Sequence, residues 1–186
     1  MLNQDRVLEI FQFSGALLAG HFQLRSGLHS DRFLQTAVVL QHPAYTSAIG
    51  TEIADRVRGY RADIVIGPAI GGVILAYDVA RVLGARAMFG EKNGDQMTLR
   101  PGFNIAPRDR IVVVDDVLTT GGSVFKLVNL CRRYGAQVVV TAFIVDRSTT
   151  PIDFGVPTIS LAAIDIATYA SDECPMCRQG IPLVEP

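Results

Sequence analysis

Hydrophobic and polar residues follow two alternating periods along this chain. Residues 5–19 and 43–59 carry apolar positions at helical spacing, and the second segment begins with proline and ends with glycine. Further helices are predicted at 72–83 and beyond 122, and short apolar runs predict strands at 63–67, 87–90, 111–114, 138–146 and 158–162. Strands separated by helices predict an α/β fold with a doubly wound, mainly parallel sheet and right-handed crossovers.

The same pattern predicts one domain spanning residues 1–186. A chain of this length can bury one sizeable core, and it contains no internal repeat or low-complexity linker. We expect the core to occupy about 41–164. The terminal segments, about 1–40 and 165–186, are expected to form a small hood over the strand ends.

Composition narrows the class of protein. Seventeen basic residues against 18 acidic ones argue against a nucleic-acid surface built from bulk positive charge. No apolar run approaches the roughly 20 residues that span a bilayer, and the N-terminus lacks the apolar core of a signal peptide. Three cysteines make a disulfide framework improbable. These features favour a soluble cytoplasmic protein with no nucleic-acid or membrane partner.

The segment 111–123 carries the strongest chemical signal. A buried strand is followed by Asp115 and Asp116, then by Thr-Thr-Gly-Gly and an amphipathic helix. The turn and the helix start offer free N–H groups to a phosphate, whereas the carboxylates suit hydroxyls or a metal on the same molecule. A phosphorylated ribose combines these groups. The alternative is a solvated Asp-Asp pair followed by an ordinary turn and helix cap.

Two further strand ends carry candidate binding groups. Residues 67–72, Gly-Pro-Ala-Ile-Gly-Gly, predict a second anion-binding turn, although an ordinary strand-to-helix turn has the same composition. Arg147 follows a very apolar strand, where its guanidinium can grip a planar carboxylate at two points. A surface ion pair of Arg147 with Asp146 or Asp153 is the alternative.

These segments together resemble a known family. The run 111–123 is similar to the signature for phosphoribosyl diphosphate (PRPP) of type I phosphoribosyltransferases, and 67–72 is similar to their diphosphate loop. Residues 20–33 and 145–147 resemble segments of the members that use orotate. The resemblance runs from about Gly20 to Pro182 and implies the fold of this family.

The resemblance implies a site, residue by residue. It assigns Asp115, Asp116 and Lys92 to catalysis, and Thr119, Arg147 and Phe33 to orotate. It assigns PRPP binding to Lys92, Ala69, Ile70, Gly71, Asp115, Asp116, Val117, Leu118, Thr119, Thr120, Gly121, Gly122 and Ser123. It also implies Mg²⁺ held mainly through PRPP without dedicated protein ligands, a non-proline peptide bond of unusual geometry near Ala69-Ile70, and a homodimer with shared active sites.

The implied reaction is a pentosyl transfer from PRPP to orotate, giving orotidine 5′-monophosphate and diphosphate in pyrimidine synthesis. A purine-specific transferase and a non-catalytic PRPP sensor are the alternatives. Residues 91–103 correspond to a basic loop that reaches a neighbouring subunit's active site in the family. Here this loop is shorter and carries Asp95 and Gln96 in place of further basic residues, which leaves Lys92 and Arg100 as the candidates to substitute for them.

Cys174 and Cys177 have the spacing of half a zinc site. Two further ligands are not evident from one chain, so a metal shared by two chains and a reduced, structural tail both remain open. Cys131 lies on the apolar face of a predicted helix and is expected in the core. His21 is expected to be a structural hydrogen-bonding residue, and His29 lies near positions that contact ligand in the resembling family.

Overall fold

The computed structural model of the protein describes residues 2–24 and 26–185. Arg25, within the segment used for the family resemblance, lies outside the described residues, as do Met1 and Pro186. In chain order the elements are α1 (Gln4–Phe13), β1 (Leu17–Gln23), β2 (His29–Leu34), α2 (Thr36–Leu40), α3 (Pro43–Val57), a 3₁₀ turn (Arg58–Tyr60), β3 (Ile64–Pro68), α4 (Gly71–Leu83), β4 (Arg86–Asn93), β5 (Gln96–Leu99), β6 (Arg110–Leu118), α5 (Gly122–Arg133), β7 (Gln137–Asp146), β8 (Thr158–Ala163), β9 (Thr168–Tyr169) and α6 (Pro175–Arg178).

The central sheet has the order β5-β4-β3-β6-β7-β8. All neighbouring strands in it are parallel except β4 and β5, which form an antiparallel hairpin at one edge. The α/β class and the mainly parallel sheet are therefore confirmed. Because β3 and β6 are adjacent, the loops that follow them lie side by side at one edge of the sheet.

Both faces of the central sheet are covered. In β6, Val112 and Val114 pack with α1, α3 and α4, whereas Ile111 and Val113 pack with α5 on the opposite face. Alternate side chains of a strand point to opposite faces, so a continuous apolar run is needed when both faces are buried. No helix in the two described ranges is long and apolar enough to cross a membrane.

The predicted helix over residues 5–19 is too long. Helix α1 ends at Phe13, Gly15 adopts a left-handed φ of 73°, and the apolar residues from Leu17 onward form strand β1 instead. A glycine in this conformation is a common helix stop. Strands β1, β2 and β9 then form a separate antiparallel sheet, which the apolar pattern did not predict.

Two other element bounds differ from the prediction. Strand β4 continues through Asn93, so Lys92 lies in a strand, and β5 turns 91–99 into a tight hairpin around Gly94, whose φ is 58°. Strand β6 continues to Leu118, so the two aspartates lie within the strand and not after its end. Pairing of Leu118 with Asp146 on β7 extends the ladder past both carboxylates.

Candidate active site

A cavity of about 650 Å³ opens at the carboxyl edge of β3 and β6. It is lined by residues of α2, of the loop after β3, and of the end of β6, among them Ala37, Gln41, Ala69, Ile70, Gly71, Asp115, Asp116 and Ser123. Open parallel sheets bind ligands outside the carboxyl ends of their strands. The predicted phosphate turns and the carboxylate pair therefore meet at one cavity.

The Asp116 carboxylate is held by hydrogen bonds on both oxygens. The amide of Val117 donates to Oδ1 at 2.9 Å, and the buried hydroxyl of Thr36 donates to Oδ2. A Cβ added at Gly71 would lie 2.8 Å from the Asp116 Cγ. The glycine at position 71 is thus required by this carboxylate, and a larger residue there would displace it.

Asp115 is the more electrostatically perturbed of the two acids. Burial and, after it, the neighbouring Asp116 charge together raise the pKa of Asp115 to about 8, against the positive charge of Lys92, which lowers it. Its Oδ1 accepts one hydrogen bond, from the Asp116 amide at 3.0 Å. A carboxyl group so poorly solvated is stabilised as an anion only when positive charge or hydroxyl donors reach it.

The turn after β6 forms a second, smaller cavity of about 110 Å³. Its lining includes residues 117–124 together with Asp115 and Phe143. Gly121 has a φ of 71°, and a Cβ there would lie 2.8 Å from the Phe154 ring, so the turn requires glycine for two reasons. Helix α5 begins at Gly122 and directs its free N–H groups toward this turn.

The loop after β3 has the peptide geometry that the family resemblance implies. The Ala69-Ile70 peptide bond is cis, and Ile70 is 84% exposed. The Ala69 amide donates to the carbonyl of Gly90 on β4 at 2.8 Å. That amide is already used, so an anion at this loop would bind the amides of the following residues, at the start of α4.

Arg147 has no ion-pair partner among the described residues. Its backbone N–H extends the ladder to Leu118 O at 2.8 Å, but its side-chain Nε is buried without a hydrogen-bond partner. Asp146 accepts from Ser148, and Asp153 accepts from the Gly155 amide. Burial lowers the pKa of the Arg147 guanidinium. The alternative of a surface ion pair is therefore wrong, and the side chain is left available for an anion.

The two cations of the β4–β5 hairpin are in different situations. Arg100 donates a hydrogen bond to Glu91 at 2.5 Å, and its guanidinium lies over the Phe89 ring, 5.6 Å from the ring centroid. The hydrogen bond raises the pKa of Arg100 and lowers the pKa of Glu91. Lys92 forms no salt bridge with any described residue, and its charge acts on Asp115. Of the two, only Lys92 is electrostatically coupled to the carboxylate pair.

Comparison with known proteins identifies the family to which this site belongs. A model of the phosphoribosyl transferase domain matches residues 35–153, which contain both anion-binding turns, the carboxylate pair and Arg147. A relative from Caldanaerobacter subterraneus subsp. tengcongensis named orotate phosphoribosyltransferase is 50% identical over 185 residues, covering 100% of this chain and 97% of its own. The chain belongs to the phosphoribosyltransferase family, among the orotate phosphoribosyltransferases.

Other orotate phosphoribosyltransferases match over similar lengths. The relative of that name from Thermotoga maritima is 46% identical over 97% of this chain and 96% of its own length. The crystal structure of orotate phosphoribosyltransferase from Aeropyrum pernix superposes with a TM-score of 0.73 at 27% identity, covering 85% of this chain and 93% of the other. The likeness therefore extends beyond the catalytic core to nearly the whole chain.

Phe33, Arg147 and Lys92 are predicted site residues that the described linings of the two cavities do not include. Of these, Phe33 is the one held by a contact of its own within the hood. It lies on β2, and its ring packs against Phe22 with 5.7 Å between ring centroids. The described lining of the main cavity includes neither Phe33 nor Arg147, which lie on β2 and after β7. The remaining residues predicted for PRPP are brought together around the two cavities, with Lys92 approaching from the hairpin.

Thr36 is a site residue that sequence reasoning missed. It begins the five-residue helix α2, whose length is too short for a periodic pattern, and it lies 80 residues before the aspartate it contacts. A hydroxyl at a helix start has many ordinary roles, such as capping. Only the tertiary structure shows that this hydroxyl orients Asp116.

Proposed function

We propose that this protein transfers ribose 5-phosphate from PRPP to orotate, forming orotidine 5′-monophosphate and diphosphate in pyrimidine synthesis. The observation that carries the proposal is the convergence, at one sheet edge, of a carboxylate pair, two anion-binding turns and a buried, unpartnered arginine nitrogen. The relatives named for this reaction support it. No covalent protein nucleophile is required, because a nitrogen of orotate attacks the anomeric carbon.

Asp115 and Asp116 are proposed to act on the ribose. Departure of diphosphate builds positive charge on the sugar ring, and two nearby carboxylates stabilise that charge while accepting hydrogen bonds from the ribose hydroxyls. Asp116 is oriented in advance by Thr36 and the Val117 amide. Preorganised groups stabilise a transition state without the cost of reorientation during the reaction.

The phosphate groups at the two ends of PRPP are proposed to occupy the two turns. The 5′-phosphate binds the turn 119–123 and the α5 N-terminus, with Val117 and Leu118 forming its strand side. The diphosphate binds Ala69, Ile70 and Gly71, chiefly through the amides at the start of α4, and Lys92 adds positive charge.

Mg²⁺ is the proposed cofactor, and it would supply charge neutralisation to the departing diphosphate. Asp115 and Asp116 are the two carboxylates in the described cavity lining, and both Asp116 oxygens already accept hydrogen bonds. A pair of carboxylates is fewer than a protein cage needs, and Mg²⁺ favours phosphate oxygens and water. These residues fit an ion that would be held mainly through PRPP, without dedicated protein ligands.

The base is proposed to be recognised by Arg147, Thr119 and Phe33. Orotate carries a carboxylate, and the unpartnered Arg147 guanidinium matches it in charge and shape. Thr119 is exposed, follows the Leu118 carbonyl that accepts from the Arg147 amide, and offers a hydroxyl. Phe33 is proposed to cover the face of the base. Purine bases carry no carboxylate, so Arg147 favours orotate over them.

We also propose a single domain of residues 1–186, with a hood of about 1–40 and 165–186 over a core of about 41–164, that pairs as a homodimer with shared active sites. The β1-β2-β9 sheet joins the two terminal segments, which supports the hood. Ile74 and Tyr77 of α4 are exposed, as is Ile70 immediately before the helix, and Ile70 and Ile74 line the cavity. This exposed apolar face supports a second copy of the chain as its occupant. Sedimentation of wild-type protein and the Tyr77→Arg variant tests the dimer: loss of the dimer in the variant is expected.

A single assay tests the activity. Protein, PRPP and Mg²⁺ are mixed with orotate, adenine, hypoxanthine or uracil, and diphosphate release is followed. Release with orotate alone is the expected outcome. Release only with a purine would identify a purine transferase, and PRPP binding without release for any base would identify a PRPP sensor. Either result would overturn the proposal.

A further inference from the structure

Four metal-binding side chains converge outside the active site. His21 and His29 come from strands β1 and β2, and Cys174 and Cys177 flank Pro175 and Met176 at the start of α6. Their potential ligand atoms all lie within 4.8 Å of one another. We call these four residues the His–Cys cluster. A zinc site built on Cys174 and Cys177 needs two further ligands. The structure places two histidines of the same chain beside them, although these lie about 150 residues earlier in the sequence.

We propose that the His–Cys cluster binds one structural Zn²⁺ per chain. Zinc ligands lie about 2.3 Å away for sulfur and about 2.0 to 2.1 Å for nitrogen, so a tetrahedral site separates sulfur from nitrogen by about 3.5 Å. The three sulfur–nitrogen separations given by the structure are 3.5, 3.6 and 3.3 Å. The two histidine nitrogens, 2.9 Å apart, need to separate by only about half an ångström to reach tetrahedral geometry.

The outer contact of His21 supports a metal ligand. Its Nδ1 lies 2.8 Å from the carbonyl oxygen of Ile181. A carbonyl only accepts, so Nδ1 carries the proton and Nε2 presents its lone pair to the cluster. Histidine ligands of metals are held in the required tautomer by this type of second hydrogen bond.

The burial of the cluster and the chemistry of its four ligands favour zinc as the ion and a structural role for it. His21, His29 and Cys174 are at most 5% exposed, whereas Cys177 is exposed and provides a route of entry. Two sulfur and two nitrogen ligands in a tetrahedron are typical of zinc, and Mg²⁺ strongly prefers oxygen. Four protein ligands leave no open position for a substrate. The site is therefore structural, and it is separate in chemistry from the ion carried by PRPP.

The zinc site would fasten the hood. Strand β9 pairs with β2 at only two residue positions, and the last residues join β1 through Val184, whose amide donates to His21 O at 2.8 Å. These are few contacts for holding the two ends of the chain together. A metal bound by both β strands and the tail joins residues that are roughly 150 positions apart, and its binding free energy adds to the free energy of folding.

Metal content is the first test. Protein made without a polyhistidine tag is purified under reducing conditions, and zinc is counted by mass spectrometry. One zinc per chain is expected for the wild type, for Cys131→Ala and for His42→Asn, which replace a core cysteine and an exposed histidine outside the cluster. Cys174→Ser and Cys177→Ser are expected to lose it. Half a zinc per chain, no zinc after reconstitution, or retention in the Cys174→Ser/Cys177→Ser double variant would overturn the proposal.

Cobalt substitution and melting experiments do not depend on any variant folding. Co²⁺ in the wild-type cluster is expected to give the strong visible bands and the sulfur charge-transfer band of a tetrahedral site. Chelation is expected to lower the melting temperature, and added Zn²⁺, but not Mg²⁺, restores it. Octahedral cobalt spectra, or a Cys174–Cys177 disulfide seen as a loss of two hydrogens from the mass of freshly purified protein, would contradict the site. Neither measurement depends on transferase activity.

Discussion

The carboxyl edge of the central sheet and the β4–β5 hairpin both bring charge to the candidate active site, but they hold it differently. At the sheet edge, Asp115 and Asp116 extend from a strand buried on both faces, and Thr36 fixes one carboxylate. On the hairpin, Lys92 and Arg100 are exposed, and Arg100 is committed to Glu91. The proposed ribose contacts thus come from the core, whereas the cation proposed for the leaving group depends on one side chain of a peripheral hairpin.

Removing the sheet-edge carboxylates is expected to have the largest effect. Asp115→Asn and Asp116→Asn each remove charge that stabilises the cationic ribose ring, so kcat is expected to fall by about 10²- to 10³-fold, with a much smaller change in KM for PRPP. Steady-state rates with varied PRPP measure both quantities.

Two matched variants check the specificity of that loss. Asp95→Asn, at the tip of the hairpin, is expected to leave kcat unchanged, and Thr120→Val is expected to raise KM for PRPP with little loss of kcat. Wild-type turnover in both of the first two variants would contradict the role given to the carboxylate pair.

The Arg147→Met variant is expected to have the next largest effect, which is a loss of orotate binding alone. Loss of a charge-assisted pair with a carboxylate costs about 2 to 4 kcal/mol, so KM for orotate is expected to rise at least about 30-fold while PRPP affinity is retained. Arg147→Lys is expected to recover only part of the loss, because a lysine cannot grip a carboxylate at two points. Arg133→Gln, on the exposed side of α5, is the control. An equal loss of orotate and PRPP binding would place Arg147 elsewhere in the mechanism.

Lys92→Gln is expected to lower kcat/KM for PRPP by about tenfold, because it removes one charge-assisted contact to the diphosphate. The chain has one other lysine, Lys126, on the exposed face of α5, and Lys126→Gln is expected to have no effect. Arg100→Gln is expected to change kcat/KM less than about twofold, since its partner is Glu91. If Arg100→Gln were the more damaging change, the hairpin would rearrange on binding so that Arg100 replaces Lys92.

The smallest expected effects are on stability. The dependence of stability on pH has opposite signs for Asp115 at the sheet edge and for Glu91 on the hairpin. The pKa of Asp115 is raised to about 8 in the folded protein, so folding favours its protonated form and stability is lost as pH rises from about 4 to 8. Asp115→Asn removes this loss and is expected to raise the melting temperature of the ligand-free protein by a few degrees at pH 8 but not at pH 4.

Glu91 has its pKa lowered by the hydrogen bond from Arg100, so its small contribution is present above its unfolded pKa and is lost as pH falls. Glu91→Gln is therefore expected to lower the melting temperature slightly at pH 8 and to have no effect at low pH. Differential scanning calorimetry of the wild type and the two variants, each at pH 4 and pH 8, measures both trends. A raised melting temperature for Asp115→Asn at both pH values would show that burial alone, without ionisation, explains its effect.

Local patterns predicted the sheet edge well. Strand β6, the glycine turn and the loop 67–72 are each encoded within a dozen consecutive residues, where periodicity and turn chemistry act directly. The hood was harder to predict because Ala16 to Ala19 extend the apolar pattern of α1, and only Gly15 marks the change to a strand. The predicted hood groups residues 1–40 with 165–186, but without strands β1 and β2 the sequence pattern gives no reason to place His21 and His29 beside Cys174 and Cys177. Thr36 escaped for a related reason, since its partner is distant in the chain.

The hydrogen bond from Ala69 to Gly90 links the two sides of the proposed diphosphate site. It ties the loop proposed to hold diphosphate to strand β4, which also carries Lys92. Gly90 pairs with Pro68 in the central sheet, so this bond continues the β3–β4 ladder. The spacing between the anion-binding loop and the strand that carries Lys92 is therefore set by the sheet itself and not by the tip of the hairpin.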